Sequence, residues 1–394
     1  MARIQLNRKE WPGDEGQKTD CLVPSWLLEL SNPGGADVAA NWVNDSGENL
    51  PAFAQTEEGV RPLFDLPRLL RQLREEQFLS DEIKTVFRLP FHHHLLPGRI
   101  RMAGMRWLVS RRLKSASRYE FPAWPLDVSA DVLHRLGLLC GLFEQRPAWP
   151  GGKSFAIVLT HDVDTSQGQQ FVPQMAEWDE AEGINSAWYV VGSYYDIDHY
   201  MLSDLESRGH EIGLHGAVHD NRLADLDSKA ILERLDSCND FVQRHSISGF
   251  RSPSFRVSPA LYDQLAGRFD YDSSVPDTDI ASPWYVRRGC CTVFPYRRNG
   301  LLVIPPTLPP EDKCISLGMS IEETKQLWKD KVKNIRQQGG LVCAVIHSEP
   351  HLWSGREREK LYRWLTGFLA QQEDAWITTP HRVMELYSSW NTDG

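Results

Sequence analysis

The sequence lacks the features of a disulfide-stabilised or membrane-spanning protein. Its seven cysteines are odd in number and contain no CxxC pair, which disfavours a disulfide scaffold and a cysteine zinc knot. No apolar run approaches the roughly 20 residues of a membrane-spanning helix. Residues 1–16 contain no apolar stretch of the kind that marks a signal peptide. We therefore expect a cytoplasmic protein.

Positive charge is scarce relative to negative charge. The 394 residues include 43 Lys and Arg against 53 Asp and Glu, a net charge of −10, so nucleic acid is not expected as a partner. Hydrophobic residues make up 41% and charged residues 24% of the chain, which is the composition of a globular protein and not of a disordered one. The length suits one large domain with an added region, or two modest domains.

A Pro- and Gly-rich run at residues 146–154, RPAWPGGKS, separates two parts of the chain with different patterns. We therefore predict an N-terminal accessory region of uncertain fold, an α+β extension, in residues 1–150 and a second domain in residues 151–394. The first 60 residues are rich in Asn, Gly and Asp and fit no regular pattern. Apolar residues at helical spacing predict helices within residues 66–78 and 130–143.

After the Pro- and Gly-rich run, short apolar stretches alternate with helix-like segments. This alternation predicts parallel βαβ units, and in such folds ligands bind at the carboxyl ends of the strands. Chemistry is therefore to be sought directly after each apolar stretch. Strands are predicted at residues 155–160, 187–191, 211–214, 301–304 and 341–346, and helices at 228–243 and 321–337.

Charged and metal-ligating residues follow three of these strands. Asp162 and Asp164 stand at i and i+2 after the first strand, so their side chains share one face. His215 and His219 stand at i and i+4, about one helical turn apart, and can bind one metal ion through neutral imidazoles. His347 ends the last strand, where it suits a general acid. The alternatives are a turn or N-cap for the Asp residues, a structural His pair and a satisfied core histidine.

Two further polar positions follow the intervening strands. Arg251 lies at a strand end beside the predicted carboxylates and would hold a neighbouring Asp ionised. The alternative for Arg251 is a structural salt bridge. Asp272 follows another strand end, at Tyr271. An Asp and two His at the strand ends of one α/β unit are harder to explain by chance than any one of them alone.

Taken in order, these motifs resemble the NodB-homology polysaccharide deacetylases, carbohydrate esterase family 4. That family has T-F-D-D-G, H-[ST]-x-x-H, R-x-P and a late strand that ends in a catalytic His. The corresponding segments here are THDVD at 160–164, HGAVH at 215–219, RSPSF at 251–255 and VIH at 345–347. The resemblance implies an α/β fold, specifically a deformed (β/α)7 barrel with an N-terminal α+β extension. It also implies a hydrolase of carbon–nitrogen bonds other than peptide bonds.

The resemblance implies roles for the residues of these motifs. Asp162 is the expected base, kept anionic by Arg251. The expected ligands of one divalent metal ion are Asp164, His215 and His219. Two His and a carboxylate suit Zn²⁺, which we expect, and also Co²⁺, Ni²⁺ and Fe²⁺.

Other expected roles concern the substrate. His347 would protonate the departing amine. A backbone N–H near Ser254 or Phe255 would stabilise the oxyanion, because the family's donor lies just after the Arg motif. Asp272 would orient or charge-tune a partner.

Two departures from the family pattern stand out. Val163 replaces the second Asp of the first motif, which gives a D-x-D variant. This variant resembles branches that include cyclic-amide hydrolases and lipid-linked aminosugar deformylases. Gly216 replaces the usual Ser or Thr of the second motif, so the metal loop is either looser than usual or supported from elsewhere.

The resulting functional prediction is removal of an N-acetyl group from an amino sugar, in a glycan or a lipid-linked intermediate of surface-polysaccharide assembly. One alternative is hydrolysis of another small amide, a formamido sugar or a cyclic ureide. The other is an inactive barrel that binds glycans. Retention of a base and an acid disfavours the inactive barrel. Release of acetate, of formate or of neither would separate the three.

A basic segment lies in the predicted accessory region. Residues 88–118 contain eight Lys or Arg and no acidic residue. Apolar residues interleaved with these charges at 99–114 indicate an interfacial helix and peripheral contact with the inner face of the membrane. The alternative is a basic helix packed on the acidic barrel. Three consecutive histidines at 92–94 lie between two prolines and are interpreted as a loop.

Overall fold

The residues that the computed structural model describes form two β-sheets, one in each part of the chain. The strands of an antiparallel sheet lie between Ala2 and Pro62, and a mostly parallel barrel begins at Phe155. The domain boundary at 150/151 stays a prediction. The structure describes residues 1–6, 21–79, 100, 103–104, 106–110, 121–282, 285, 287–353 and 356–390.

The N-terminal sheet has five antiparallel strands in the order β2-β1-β3-β4-β5. The Asn and Gly residues that hide its pattern in the sequence form its turns. The Asn44 side chain accepts hydrogen bonds from the backbone N–H of Ser46 and Glu48 and so closes the β3–β4 hairpin. Trp42 is buried in its core. The strands are β1 Ala2–Leu6, β2 Leu22–Val23, β3 Asp37–Asn44, β4 Asn49–Thr56 and β5 Gly59–Pro62.

Two helices in the described part of the accessory region hydrogen-bond to the barrel. Helix α1, Leu66–Arg74, begins at Asp65, whose carboxylate accepts the Arg68 N–H, 2.9 Å. It ends before Glu76, whose backbone is left-handed with φ of 57°. Helix α2 is Ser129–Leu139, and its Ala130 N–H donates to the barrel carbonyl of Cys291, 3.0 Å. Residues 106–110 are also helical.

Seven parallel strands form the barrel in the order β12-β10-β9-β8-β7-β6-β13. A parallel bridge between Leu308 and Ala344 links the segment after β12 to β13 and closes the ring. This architecture confirms the deformed (β/α)7 barrel. The strands are β6 Phe155–Val163, β7 Ala187–Val190, β8 Glu211–Leu214, β9 Gly249–Phe250, β10 Tyr271–Asp272, β11 Tyr296–Arg298, β12 Leu301–Val303, β13 Leu341–His347 and β14 Ala375–Thr378.

Helices surround the barrel and follow most of its strands. The single helix predicted over residues 228–243 is divided in two, with the break at Ser237 and Cys238. The helices are α3 Ser166–Ala181, α4 His199–Ser207, α5 Ser228–Asp236, α6 Asn239–Arg244, α7 Pro259–Leu265, α8 Glu311–Ser316, α9 Ile321–Gln338, α10 Pro350–Trp353, α11 Arg356–Ala370 and α12 Pro380–Tyr387.

Strand β6 occupies the centre of the fold. Every one of its nine residues is buried, as expected for a continuous apolar strand of a parallel sheet. Strand β13 pairs along its length, while β14 pairs with its first half and β7 with its second half. None of the helices in the described ranges combines the length and the apolar character needed to cross a bilayer.

Candidate active site

The carboxyl end of β6 carries both Asp residues of the first motif. Asp162 is the penultimate residue of the strand and Asp164 directly follows it, and both are buried. Because side chains alternate along a strand, His161 lies on the opposite face. There its Nε2 hydrogen-bonds Asp179, 2.9 Å, and its ring stacks on Trp188. The i, i+2 spacing therefore brings the two carboxylates to one side, as predicted.

Asp164, His215 and His219 form a compact group of metal-ligating atoms. One ligand atom from each residue lies within 4.8 Å of the other two. Asp164 Oδ1 is 3.3 Å from His215 Nε2 and 3.5 Å from His219 Nε2. Asp164 Oδ1 and His215 Nε2 are buried and make no hydrogen bond. Since buried polar atoms are normally hydrogen-bonded, these two atoms fit a bound cation.

The electrostatics of this group also suit a cation. Burial lowers the pKa of His219 to about 4, so its imidazole is neutral and able to ligate at physiological pH. Burial alone would raise the pKa of Asp164, but the neighbouring His219 and His215 hold it well below its usual value. A carboxylate and a neutral imidazole are the forms that bind a divalent metal.

The second motif is a loop and not the helical turn that its i, i+4 spacing suggested. Gly216 adopts φ of +68°, a conformation that favours glycine. The loop is supported by the segment after β7: Gly192 N–H donates to the Gly216 carbonyl, 2.9 Å, and Ser193 N–H to the Ala217 carbonyl, 3.0 Å. His215 Nδ1 donates to the Arg251 carbonyl, 3.0 Å, which leaves Nε2 for the metal group.

We predict that Gly216→Ala destabilises the protein by about 1–2 kcal/mol, because an L-residue is strained at this backbone conformation. Its Cβ would also lie 3.0 Å from the Pro253 ring. Denaturant unfolding measures the loss. Gly183→Ala is the matched control, since Gly183 has φ of +72° and an added Cβ there meets nothing within 4 Å. Equal losses in the two variants would show that contact with Pro253 adds nothing.

Asp162 and Arg251 form a buried ion pair beside the metal group. Arg251 Nη1 donates to Asp162 Oδ1, 2.8 Å. The rest of the guanidinium is fixed by the carbonyl of Ser273, 3.0 Å, and its hydroxyl, 2.9 Å, and by the ring of Tyr189. Burial would raise the pKa of Asp162, but Arg251 overcomes this effect and lowers it. Asp162 is therefore ionised at neutral pH.

His347 has a carboxylate partner that sequence reasoning missed. Its Nδ1 and its backbone N–H both hydrogen-bond Glu311 Oε1, at 2.9 and 3.0 Å. Burial would lower the pKa of His347, but Glu311 and Asp312 raise it well above the usual value. Glu311 begins α8, where an acidic residue is usually attributed to the helix dipole. No local signal therefore identified this residue, which lies 36 positions before His347.

The RSPSF motif forms a tight turn at the barrel mouth. Ser254 and Phe255 have left-handed φ values of 56° and 58°. The Ser254 hydroxyl donates to the Asn221 side chain, 2.7 Å, which ties the turn to the loop of the second motif. Phe255 N–H already donates to the Ser252 carbonyl, 3.0 Å. The Ser254 N–H is therefore the better candidate for an oxyanion donor.

Asp272 does not join these groups. It is fully buried, and its carboxylate accepts hydrogen bonds from the Tyr262 hydroxyl, 2.8 Å, and from the hydroxyl and N–H of Ser274. The carboxylate beside His347 is that of Glu311, and the expectation that Asp272 orients or charge-tunes a partner stays a prediction. Both oxygens of Asp272 are engaged within its own turn and with α7.

Comparisons with known proteins agree with this geometry. Residues 151–266 match the family model for polysaccharide deacetylases. This match confirms the resemblance to polysaccharide deacetylases that the motifs predicted. The barrel is similar in structure to a protein from Mycobacterium smegmatis assigned as a polysaccharide deacetylase (TM-score 0.50, 20% identity, 61% of this chain and 93% of that chain covered). It is also similar to PuuE allantoinase (TM-score 0.53, 15% identity, 63% and 96% covered). No curated protein sequence matches the chain.

The match also confirms the enzyme class predicted from the sequence, a hydrolase of carbon–nitrogen bonds other than peptide bonds. The D-x-D branch stays a prediction. The roles predicted for Asp162, Arg251 and His347 also stay predictions, although the structure places their side chains at one end of the barrel.

We expect the purified protein to hold about one divalent ion per chain, because three ligands and an open position are typical of a catalytic metal site. His215→Ala should lose most of this metal on dialysis, as measured by elemental analysis. His381→Ala is the control, since His381 lies beside Glu211 at the start of β8, away from the metal group. Undiminished metal in His215→Ala would remove this residue from the site.

Proposed function

We propose that this deacetylase removes the N-acetyl group of an amino sugar with the help of one divalent metal ion, zinc in our expectation. The observation that carries the proposal is the pair of buried atoms without hydrogen bonds, Asp164 Oδ1 and His215 Nε2. They lie beside an ionised carboxylate, Asp162, and a histidine whose pKa is raised. A metal-dependent amide hydrolase needs a metal, a base and an acid in one place.

The base and the acid lie on neighbouring strands. In the β6–β13 pairing, Asp162 is directly opposite His347, so their backbones are about 4.8 Å apart. A bound divalent ion would polarise the amide carbonyl and activate water. Asp162 accepts the proton of the attacking water, and Arg251 keeps Asp162 ionised for this task. General base catalysis of this kind contributes about 10²–10⁴-fold.

His347 supplies the proton that the leaving amine needs. Its backbone is fixed on both sides, since its N–H donates to Glu311 and its carbonyl accepts the Trp353 indole N–H, 2.6 Å. Glu311 holds the imidazole protonated at Nδ1 and oriented by that contact. The Ser254 N–H is placed to stabilise negative charge on the carbonyl oxygen as the tetrahedral centre forms. After proton transfer the C–N bond breaks and leaves acetate and a free amine.

The experiment that tests this proposal measures acetate. Purified protein is incubated with N-acetylated oligosaccharides, before and after chelation of the metal, with Asp162→Asn as the inactive control. We expect acetate release that chelation abolishes and added metal restores. Formate released from an N-formyl sugar, or ring opening of a cyclic ureide, would favour the alternative suggested by the D-x-D motif at Asp162 and Asp164. Tight glycan binding without either product would favour a binding barrel.

We further propose that the substrate is lipid-linked and that residues 99–114 contact the cytoplasmic face of the membrane. Half of this segment lies outside the described residues. Within it, Ile100 and Trp107 are 56% and 55% exposed, and exposed apolar side chains among basic residues suit an anionic interface.

We expect binding to anionic vesicles that falls steeply with salt, because each Lys or Arg near the surface contributes about 1 kcal/mol. Trp107→Ala should weaken binding in co-sedimentation. Trp26→Ala is the matched control, since Trp26 is 69% exposed elsewhere in the accessory region. Equal, negligible binding at low and high salt would instead support a helix packed on the barrel.

A further inference from the structure

A buried ion pair connects the accessory region to the turn that carries Ser254. Glu76, just after α1, accepts hydrogen bonds from Arg288 Nε, 2.8 Å, and Arg288 Nη2, 2.6 Å. Its Oε1 also accepts the Gly289 N–H, 2.8 Å. The remaining guanidinium nitrogen, Arg288 Nη1, donates to the backbone carbonyl of Phe255. Arg288 thus links Glu76 to the RSPSF turn, with two hydrogen bonds to Glu76 and one to the Phe255 carbonyl.

Burying the Glu76–Arg288 ion pair costs the protein desolvation free energy. Arg288 is 1% and Glu76 is 6% exposed, and such burial removes both charges from water. Glu76 also holds a left-handed backbone, φ of 57°, which a glutamate rarely adopts. A buried ion pair is weak support for stability when compared with apolar side chains of the same volume. A role in fixing the geometry of the RSPSF turn accounts better for the burial of this pair and for the backbone conformation of Glu76.

The turn that receives this contact needs to be held. Ser254 and Phe255 are successive residues with left-handed backbones, and neither is glycine. Such conformations persist only where the surroundings enforce them, and they are common at functional sites. The Ser254 side chain is held by Asn221, whereas the Phe255 carbonyl is held by Arg288. The direction of the Ser254 N–H depends on both contacts, because it belongs to the same turn.

We propose that Glu76 and Arg288 are positioning residues that aim the Ser254 N–H at the oxyanion, so that the accessory region completes the active site. This inference rests on the proposed deacetylase function. Arginine is suited to the task because its planar fork binds the carboxylate through two nitrogens and leaves a third for the Phe255 carbonyl. Lysine has one ammonium group and cannot make both contacts in this geometry.

The test compares Arg288→Lys with the wild-type protein. We expect the variant to fold and to retain its metal, while kcat for acetate release falls about 10- to 100-fold and KM changes little, because small misplacements of catalytic groups cost up to about 10². If the ion pair had only a structural role, lysine at position 288 would preserve kcat. Glu76→Gln is the second variant, since its amide cannot accept from both Arg288 nitrogens and Gly289, and it should lower kcat in the same way.

The matched control is Thr292→Val. Thr292 donates its hydroxyl to Asp131 of α2, so it joins the accessory region to the barrel without touching the RSPSF turn. We expect kcat of this variant to equal that of the wild type. A kcat within twofold of wild type in both folded variants, Arg288→Lys and Glu76→Gln, would overturn the proposal.

Hydrogen–deuterium exchange separates this inference from the proposed function. Peptides that cover residues 252–256 should exchange faster in Arg288→Lys than in the wild type and should be unchanged in Thr292→Val. This readout needs no substrate, so it decides the positioning role even if no acetate is released by the wild-type protein. Unchanged exchange in Arg288→Lys and in Glu76→Gln would show that the pair does not hold the turn.

Discussion

Asp162→Asn is expected to lower kcat by about 10²–10⁴-fold, the usual contribution of a general base, while the protein keeps its metal. The amide is nearly isosteric with the carboxylate but cannot accept the proton of the attacking water. Arg251 retains an oxygen acceptor, because the Asn side chain can present its carbonyl at the place of Asp162 Oδ1. Acetate release and metal content, measured on the same preparation, check this expectation.

Asp164→Asn is the partner variant, and it should behave differently. Asp164 Oδ1 is the atom nearest to both imidazoles of the metal group, so its neutralisation should weaken metal binding first and activity as a consequence. Excess metal should then restore part of the activity of Asp164→Asn but none of that of Asp162→Asn. If the two variants exchange these behaviours, the roles assigned across the D-x-D motif are reversed.

Much of the barrel could be predicted because its strands are buried on both faces. A strand such as Phe155–Val163 contacts apolar surroundings at every position, so its sequence is a continuous apolar run that is visible without the structure. The polar residues after such runs then stand out. Asp162, Asp164, His215, Arg251 and His347 were predicted as site residues in this way, and the structure places them together at one end of the barrel.

The first sheet could not be predicted for the opposite reason. Its strands are interrupted by turn residues, and β4 contains Pro51 within the strand, although proline disfavours strands. The burial pattern of β3 alternates only weakly. Ala39, Ala40 and Trp42 are buried, so two consecutive residues are buried, whereas Asp37 is exposed. Pairing partners far apart in the chain, such as Ala2 and Asn44, leave no periodic signal.

Two carboxylates were missed from the sequence because they contact the site from distant segments of the chain. Glu311 reaches His347 because α8 begins beside the end of β13, and Glu76 reaches Arg288 across 212 positions. Neither carboxylate belongs to a local motif. The partners of Asp272 were not visible in the sequence either: it ends its strand, and its carboxylate accepts hydrogen bonds from Tyr262 and Ser274.

The pH dependence of activity should report the pair formed by Glu311 and His347. Because Glu311 raises the pKa of His347 well above the usual value, the imidazole is protonated at neutral pH, and kcat/KM should fall only as the pH rises above neutrality through that raised pKa. The acidic limb should lie well below neutrality, since the pKa of Asp162 is lowered. His347→Asn should lower the rate by about 10²–10⁴-fold and flatten the alkaline limb.

Glu311→Gln tests the cause of that limb. Burial lowers the pKa of His347, and the Glu311 carboxylate is the main charge that opposes this effect. The substitution removes that charge and leaves the effect of burial. The alkaline limb should therefore move to lower pH, and activity at neutral pH should fall because less of the imidazole is protonated. Asp312→Asn is the graded control, because Asp312 raises the pKa of His347 less than Glu311 does. The alkaline limb of Asp312→Asn should therefore move in the same direction by a smaller amount. An alkaline limb that stays in place in Glu311→Gln would mean that His347 is not the group whose protonation limits the reaction.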